Sequence, residues 1–227
     1  MIEPPPLKTI EKSMSSLEKI KAIKKIEEGI ESIDNYELTP LGYHIASLPV
    51  SPKIGKIMIY SCIFRCVDPL LTICASMSFK SPFIHQRNSD EISSKTQFSE
   101  KFSDHLTLLN AFQQFEESYS QKNSNSYSFC QKNNLSFNTM NEIYKLKRLF
   151  HSLLQDIHFI DRSSSFENKT DKYNQNSQNK KLIKSIICAG LYPSNNFYLF
   201  ILFYFILFYL FFLLLLFFFF FYFPFFF

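Results

Sequence analysis

The chain has 227 residues, enough for one or two domains, and its formal net charge of +4 is a mild excess that permits an anionic partner without calling for one. Apolar residues make up 46%, yet many of them crowd into residues 197–227, and the remainder is polar and rich in Ser, Asn and Lys. There are only four glycines, Gly29, Gly42, Gly55 and Gly190, and none has the partner and following Lys that a phosphate-binding P-loop requires, so a nucleotide-hydrolysing engine of that kind is excluded.

Residues 1–6, MIEPPP, are extended because consecutive prolines forbid a helix. No apolar run of a secretory signal stands there, which predicts a reducing, intracellular setting, nucleus or cytoplasm. Ile10, Met14, Leu17 and then Ala22 or Ile23 recur at helical spacing, with Glu11, Lys12, Glu18, Lys24 and Lys25 opposite. This predicts a helix from Leu7 to about Glu27, ended by Gly29. Residues 30–38 predict a short strand and turn with Asp34 and Asn35 at the bend. Helix, turn and the helix that follows fit a small winged-helix unit over residues 1–50, with a plain helical hairpin as the alternative.

The stretch from Leu38 to Phe83 is the longest non-repetitive apolar run, and the rest of the chain is organised around it. Thr39 is placed to cap a helix opened by Pro40. A second helix is predicted from Pro52 to about Arg65, with Ile54, Ile57, Met58, Ile59, Tyr60, Ile63 and Phe64 making it apolar nearly all round and therefore buried. Asp68 is expected to cap a third, opened by Pro69 and carrying Leu70, Leu71, Ile73, Cys74 and Met77, and Pro82 closes the unit. The five cysteines contain no CxxC pair. Cys62 and Cys66 lie one turn apart without a His or second pair, so buried free thiols are expected rather than a metal site.

Residues 84–102 predict a loop. Ser103 caps a helix to about Ser118 whose stripe is Leu106, Leu109, Phe112 and Phe115, with Asp104 and His105 as an ordinary charged first turn. Residues 119–131 predict a polar insertion. Ser136 is then an N-cap, flanked by Leu135 and Met140 at the spacing of a hydrophobic staple. Ile143, Leu146, Phe150, Leu153 and Ile157 follow at heptad spacing, for a helix of about six turns. Its other faces carry Lys145, Lys147, Arg148 and His151, either a solvated basic face or a surface that meets the phosphates of a nucleic acid. These helices predict a bundle over residues 51–160. Residues 161–180, charged and without periodicity, predict a disordered insertion. Leu182 to Ala189 predicts a last bundle helix within 181–195, closed by Gly190 and Pro193.

Residues 197–227 hold no charge and little besides Phe, Leu, Ile and Tyr. About 20 such residues span a bilayer core, so the tail reads as a membrane anchor, with Lys180, Lys181 and Lys184 keeping the rest in the cytosol. The competing reading is a translated T-rich flank or intron, since all four residue types have codons rich in T and A.

Four strings carry a resemblance: LTPLGYHIASLPVSPKIGKIMIYSCIFRCVDPLLTICASMSFKSPF, SDHLTLLNAF, NNLSFNTM and LIKSIICAGLYPSN. In order and spacing they resemble the helicase-associated region of DEAH-box RNA helicases, over roughly residues 1–195. The resemblance implies a mainly α fold, a winged helix followed by a helical ratchet bundle. It implies helicase motor domains and RNA as partners, with ATP and Mg belonging to the motor domains and no cofactor or metal in this chain. Asn134, Leu135, Ser136 and Thr139 match the start of the long ratchet helix, and Lys147 and Arg148 fall in its basic segment. Leu149 departs from the Gln often found there. The candidate contacts are thus Lys145, Lys147 and Arg148 to phosphate, with Ser136 and Thr139 donating hydrogen bonds to the RNA backbone. No GxSxG, HExxH or GxGxxG occurs, and Asp90-Glu91 is followed by Ile92 and Ser93 rather than Ala-His, so no catalytic residue is expected. The functional reading is an accessory piece of such a helicase, without catalysis of its own. A membrane-anchored helical protein and a protein-interaction module are the alternatives.

Overall fold

A computed structural model describes residues 4–26, 35–84, 95–120 and 126–193. Two compact units divide the chain, Met1–Gly190 and Leu191–Phe227. The bend at Asp34, Gly29 and the apolar tail at 197–227 lie outside the described residues. Among the described residues, no helix is long and apolar enough to cross a membrane.

The first helix, α1 (Leu7–Lys19), stops well before Glu27. Lys21 takes a left-handed backbone (φ 64°), and its N–H bonds the Glu18 carbonyl at 2.8 Å while Ala22 N–H bonds that of Leu17 at 2.9 Å. Residues expected to continue the helix instead form β1 (Ile23–Lys25), which pairs antiparallel with β2 (Tyr36–Leu38) in the register Ile23–Leu38, Lys24–Glu37, Lys25–Tyr36. The left-handed Lys21 turns the chain out of the helix, and Ile20, Ala22 and Ile23 are all buried around that turn and the ribbon it leads into.

Helix α2 (Pro40–Ala46) starts as expected. Thr39 Oγ1 accepts from Gly42 N–H at 2.9 Å and donates to the Lys21 carbonyl at 2.7 Å, so one hydroxyl caps α2 and ties it to the ribbon. Thr39→Ala should cost about 1 kcal/mol of stability, read by urea unfolding; an unchanged midpoint would show that the cap is idle.

Helix α3 (Pro52–Ile63) buries Ile54, Ile57, Met58, Ile59 and Cys62, but its all-round burial fails at the end, where Ile63 is 58% and Phe64 42% exposed. Helix α4 (Val67–Met77) begins before Pro69, with Cys66 as its N-cap. Asp68 is therefore inside the first turn rather than the cap, and its own N–H donates to Asn174 Oδ1 at 2.8 Å. Leu70, Leu71, Ile73 and Cys74 are at most 1% exposed, which makes α4 the central rod of the bundle. It packs against α3, against α5 (Asp104–Ser120) and against α7 (Phe137–Asp156). On α5 the stripe of Leu106, Leu109, Phe112 and Phe115 is buried as its spacing requires, and Ser103 Oγ accepts from Leu106 N–H at 3.3 Å.

Between them lies α6 (Ser126–Lys132), where a polar insertion was expected. It is a short helix held by burial of Cys130 and the meeting of Phe98 with Phe129, ring centroids 6.4 Å apart, rather than by a periodic pattern. The last helix, α8 (Lys180–Leu191), buries Ile183, Ile186 and Ile187. Gly190 lies within it instead of closing it, and its lack of a side chain admits Ile57, whose Cγ1 would stand 2.1 Å from a Cβ there.

The largest departure is at residues 161–179. Their composition predicts disorder, yet they fold as an ordered strap along α4 and α7. Asn176 N–H and Nδ2 donate to the Arg65 and Phe64 carbonyls, each at 2.8 Å, and Arg65 Nη1 donates to Gln175 Oε1 at 2.6 Å. Helix ends expose carbonyl and N–H groups that need partners, and this Asn- and Ser-rich segment supplies them.

Candidate functional site

The 20-residue helix α7 carries every candidate contact residue. Its start is as predicted: Ser136 Oγ accepts from Thr139 N–H at 3.3 Å and from Thr139 Oγ1 at 2.9 Å. Leu135 and Met140 are both buried, as the staple requires. The buried stripe, however, is Met140, Ile143, Lys147, Phe150, His151 and Leu154. It is rotated one position from the predicted Ile143, Leu146, Phe150, Leu153 and Ile157, which places a lysine and a histidine toward the core.

Lys147 is thus not on the solvated basic face. Its side chain is 1% exposed, and its Nζ lies 2.6 Å from Asp68 Oδ1 on α4 and 2.7 Å from Glu116 Oε1 on α5. The other oxygen of Glu116 takes Lys169 from the strap at 2.6 Å. Two lysines and two carboxylates make a neutral cluster joining three helices and the strap. The rings of Phe112 and Phe166 lie 5.4 and 5.6 Å from the Lys147 ammonium. This satisfies the rule that a buried charge must be paired and hydrogen-bonded. Burial pulls the Lys169 amine down, but its hydrogen bond and attraction to Glu116 outweigh that and hold it above the usual value. Thr139 is also unavailable to a ligand, being 1% exposed with its hydroxyl spent on Ser136.

Helix α7 presents Lys145, Arg148 and Leu149 outward, along with Asn138, Ser152 and Asp156. Lys145 pairs with Glu142 at 2.8 Å, with both side chains largely in solvent. Arg148 lies over the Phe166 ring at 6.0 Å. Ser136 is half-buried. The structure therefore separates the five candidate residues. Lys145, Arg148 and Ser136 remain reachable, whereas Lys147 and Thr139 are structural.

Asp68, Glu116 and Lys169 were missed as a group, although a signal existed for two members of the cluster. Glu116 continues the Leu109–Phe112 spacing, and Lys147 fills the gap between Ile143 and Phe150. Among the described residues, no other cluster offers chemistry. Asp104 and His105 form no acid–base pair: the Asp104 side chain is 91% exposed beside Lys95 at 3.6 Å, and burial lowers His105 despite that carboxylate. Burial pushes the thiols of Cys62 and Cys66 up to about 12 and that of Cys130 to about 11, which makes them unreactive. Among the described residues, no group of three or more His, Cys, Asp and Glu side chains is placed to hold a metal ion.

Fold and site define the class: a mainly helical accessory bundle, locked internally by ions and carrying cations on the outer edge of one long helix. A family model for the helicase associated domain (HA2), ratchet-like, matches residues 51–108. The chain is 38% identical over 210 residues to the putative ATP-dependent RNA helicase DHX57 of Mus musculus, covering 86% of this chain and 14% of that protein. It is 39% identical over 196 residues to the ATP-dependent DNA/RNA helicase DHX36 of Mus musculus and 36% identical over 196 residues to the DExH-box ATP-dependent RNA helicase DExH1 of Arabidopsis thaliana, in each case 85% of this chain and 18% of the relative. The chain belongs to the helicase-associated, ratchet-like regions of the DEAH-box helicases. It spans less than a fifth of the length of these relatives, 14% to 18%.

Proposed function

We propose that this region packs against helicase motor domains and flanks the path of RNA, with Lys145 and Arg148 on phosphates and Ser136 donating to the backbone. ATP and Mg act in the motor domains of the parent enzyme; the chain itself turns over no nucleotide. Helix α1, the β-ribbon and α2 serve in this reading as the winged-helix unit of residues 1–50. Lys147 and Thr139 leave the contact set and act by holding α7 in place. The observation that carries the reading is the outward pair Lys145 and Arg148, one helical turn apart on a helix whose opposite face is anchored in the core. The names of the relatives, which specify RNA or DNA/RNA helicases, agree with it.

The test is fluorescence anisotropy with single-stranded oligouridylate over a salt series, using the full chain in non-ionic detergent on account of its apolar tail. Affinity should fall linearly on a log–log plot with salt. Lys145→Glu with Arg148→Glu should weaken it and flatten the slope by about 1.4, the loss of two single-strand phosphate contacts. Binding that ignores salt, or a slope unchanged in the double variant, refutes the assignment.

A further inference from the structure

The strap at 161–179 lies against α7 beside the exposed Arg148 of the proposed phosphate contact. Phe166 is its main apolar plug. Its ring meets His151 edge-on at 5.6 Å and Tyr144 at 5.7 Å, and it is the ring that Arg148 and Lys147 face. Almost everything else that fastens the strap is polar. Lys169 reaches Glu116, Asn174 takes the Asp68 N–H, and Gln155 Nε2 donates to the Asp161 and Ser164 carbonyls at 3.2 and 2.9 Å. Inside the strap, Lys172 pairs with Asp161 at 2.6 Å and Ser164 Oγ donates to Asp171. A segment held by exposed and half-buried polar contacts and one aromatic plug belongs to the lower end of local stability, whereas the apolar-packed α4 and α7 beneath it belong to the high end.

His151 lies under this cover, 8% exposed, beside a small enclosed gap lined by Asp68, Lys147, Ser164, Phe166 and Asn174. The charged groups that face it are Lys147 on its own helix, Asp68 from α4 and Asp171 from the strap, with Glu116 of α5 bound to the same Lys147 ammonium. We propose that the strap is a latch, closed over α7 while His151 is neutral and released when His151 takes up a proton, and that release frees the exposed Arg148 from the Phe166 ring for an anionic ligand.

The direction follows from the surroundings. Burial, the largest influence, disfavours the imidazolium; Asp171 and Asp68 oppose this and Lys147 reinforces it, and the net result holds His151 below its usual value. A histidine that is harder to protonate when covered loses nothing above the ordinary imidazole range. As pH falls through that range the uncovered state binds the proton first, so closure weakens on the acid side. The last step, freeing Arg148 from the Phe166 ring, rests on the proposed phosphate contact; the latch itself does not.

Hydrogen exchange by mass spectrometry on the full chain, corrected for the intrinsic pH dependence of exchange, reads the latch directly. Strap peptides should lose protection several-fold between neutral and mildly acidic pH, while peptides of α4 and α7 keep theirs. His151→Gln, which cannot titrate, should abolish the pH dependence. Phe166→Ala should leave the strap unprotected at every pH, and it serves as a second variant should the His151 substitution fail to fold. Strap protection that is independent of pH, or that falls only together with α4 and α7, overturns the latch. Oligouridylate binding that strengthens in Phe166→Ala supports the release of Arg148 from that ring. A latch that opens on schedule while RNA binding stays absent refutes the phosphate contact alone.

Discussion

Lys147→Ala should destabilise the bundle by about 3–5 kcal/mol, because it leaves Asp68 and Glu116 facing each other in the core without their shared cation. Their side chains are 12% and 7% exposed, so water cannot replace the ammonium at either. Lys169 reaches only the second oxygen of Glu116 and is half in solvent, which makes it a poor substitute. For a domain of this size the loss corresponds to a melting temperature lower by roughly 6–20 °C. Thermal unfolding followed by circular dichroism measures it. Removing all four charges together, with Lys147→Met, Lys169→Met, Asp68→Asn and Glu116→Gln, should recover most of the loss, since a cluster replaced as a whole leaves no orphaned charge. A single Lys147→Ala variant that melts within experimental error of the parent would show that the cluster holds nothing together.

Gly42→Ala should be the most damaging of the conservative changes. A Cβ at this position would stand 1.8 Å from the carbonyl oxygen of Ala22, a backbone atom that has no rotamer to retreat into. That oxygen also accepts the Thr39 N–H at 3.0 Å, which fixes it against the first turn of α2. The clash therefore separates α2 from the β-ribbon, and the expected cost is about 3 kcal/mol, the upper end for overpacking. Loss of amide protection in Ile23–Lys25 and Tyr36–Leu38 should accompany it. Gly55→Ala is the control. Its new methyl meets Val50 Cγ2 at 3.5 Å, an ordinary contact, so the helix should gain about 0.5–1 kcal/mol from losing a glycine. Equal effects at the two positions would refute the close-approach argument for Gly42.

Where local chemistry decides the structure, it could be read from the residues. Thr39 before Pro40, Ser103 before α5 and Ser136 before α7 cap the helices they precede, because a side-chain acceptor beside free N–H groups needs no distant partner. The stripe on α5 was equally clear, since four apolar residues at helical spacing allow one face. The register of α7 was not. Two heptad frames fit its apolar residues, and the one chosen kept lysine out of the core. The frame the protein uses admits Lys147, because Asp68 and Glu116, distant in sequence, arrive on facing helices to receive it. The candidate contact set shrank for the same reason, from five residues to Lys145, Arg148 and Ser136.

The amino-acid sequence by itself determined the mainly helical fold, the family, the caps at Thr39, Ser103 and Ser136, and the absence of a P-loop. Each of these depends on residues within a turn or two of one another, or on a motif carried whole. Only the tertiary structure decided that Ile23–Lys25 is a strand, that the strap is ordered, and that Lys147 belongs to the core. Those outcomes depend on partners tens of residues away, which satisfy a backbone group or a charge that the local sequence leaves open.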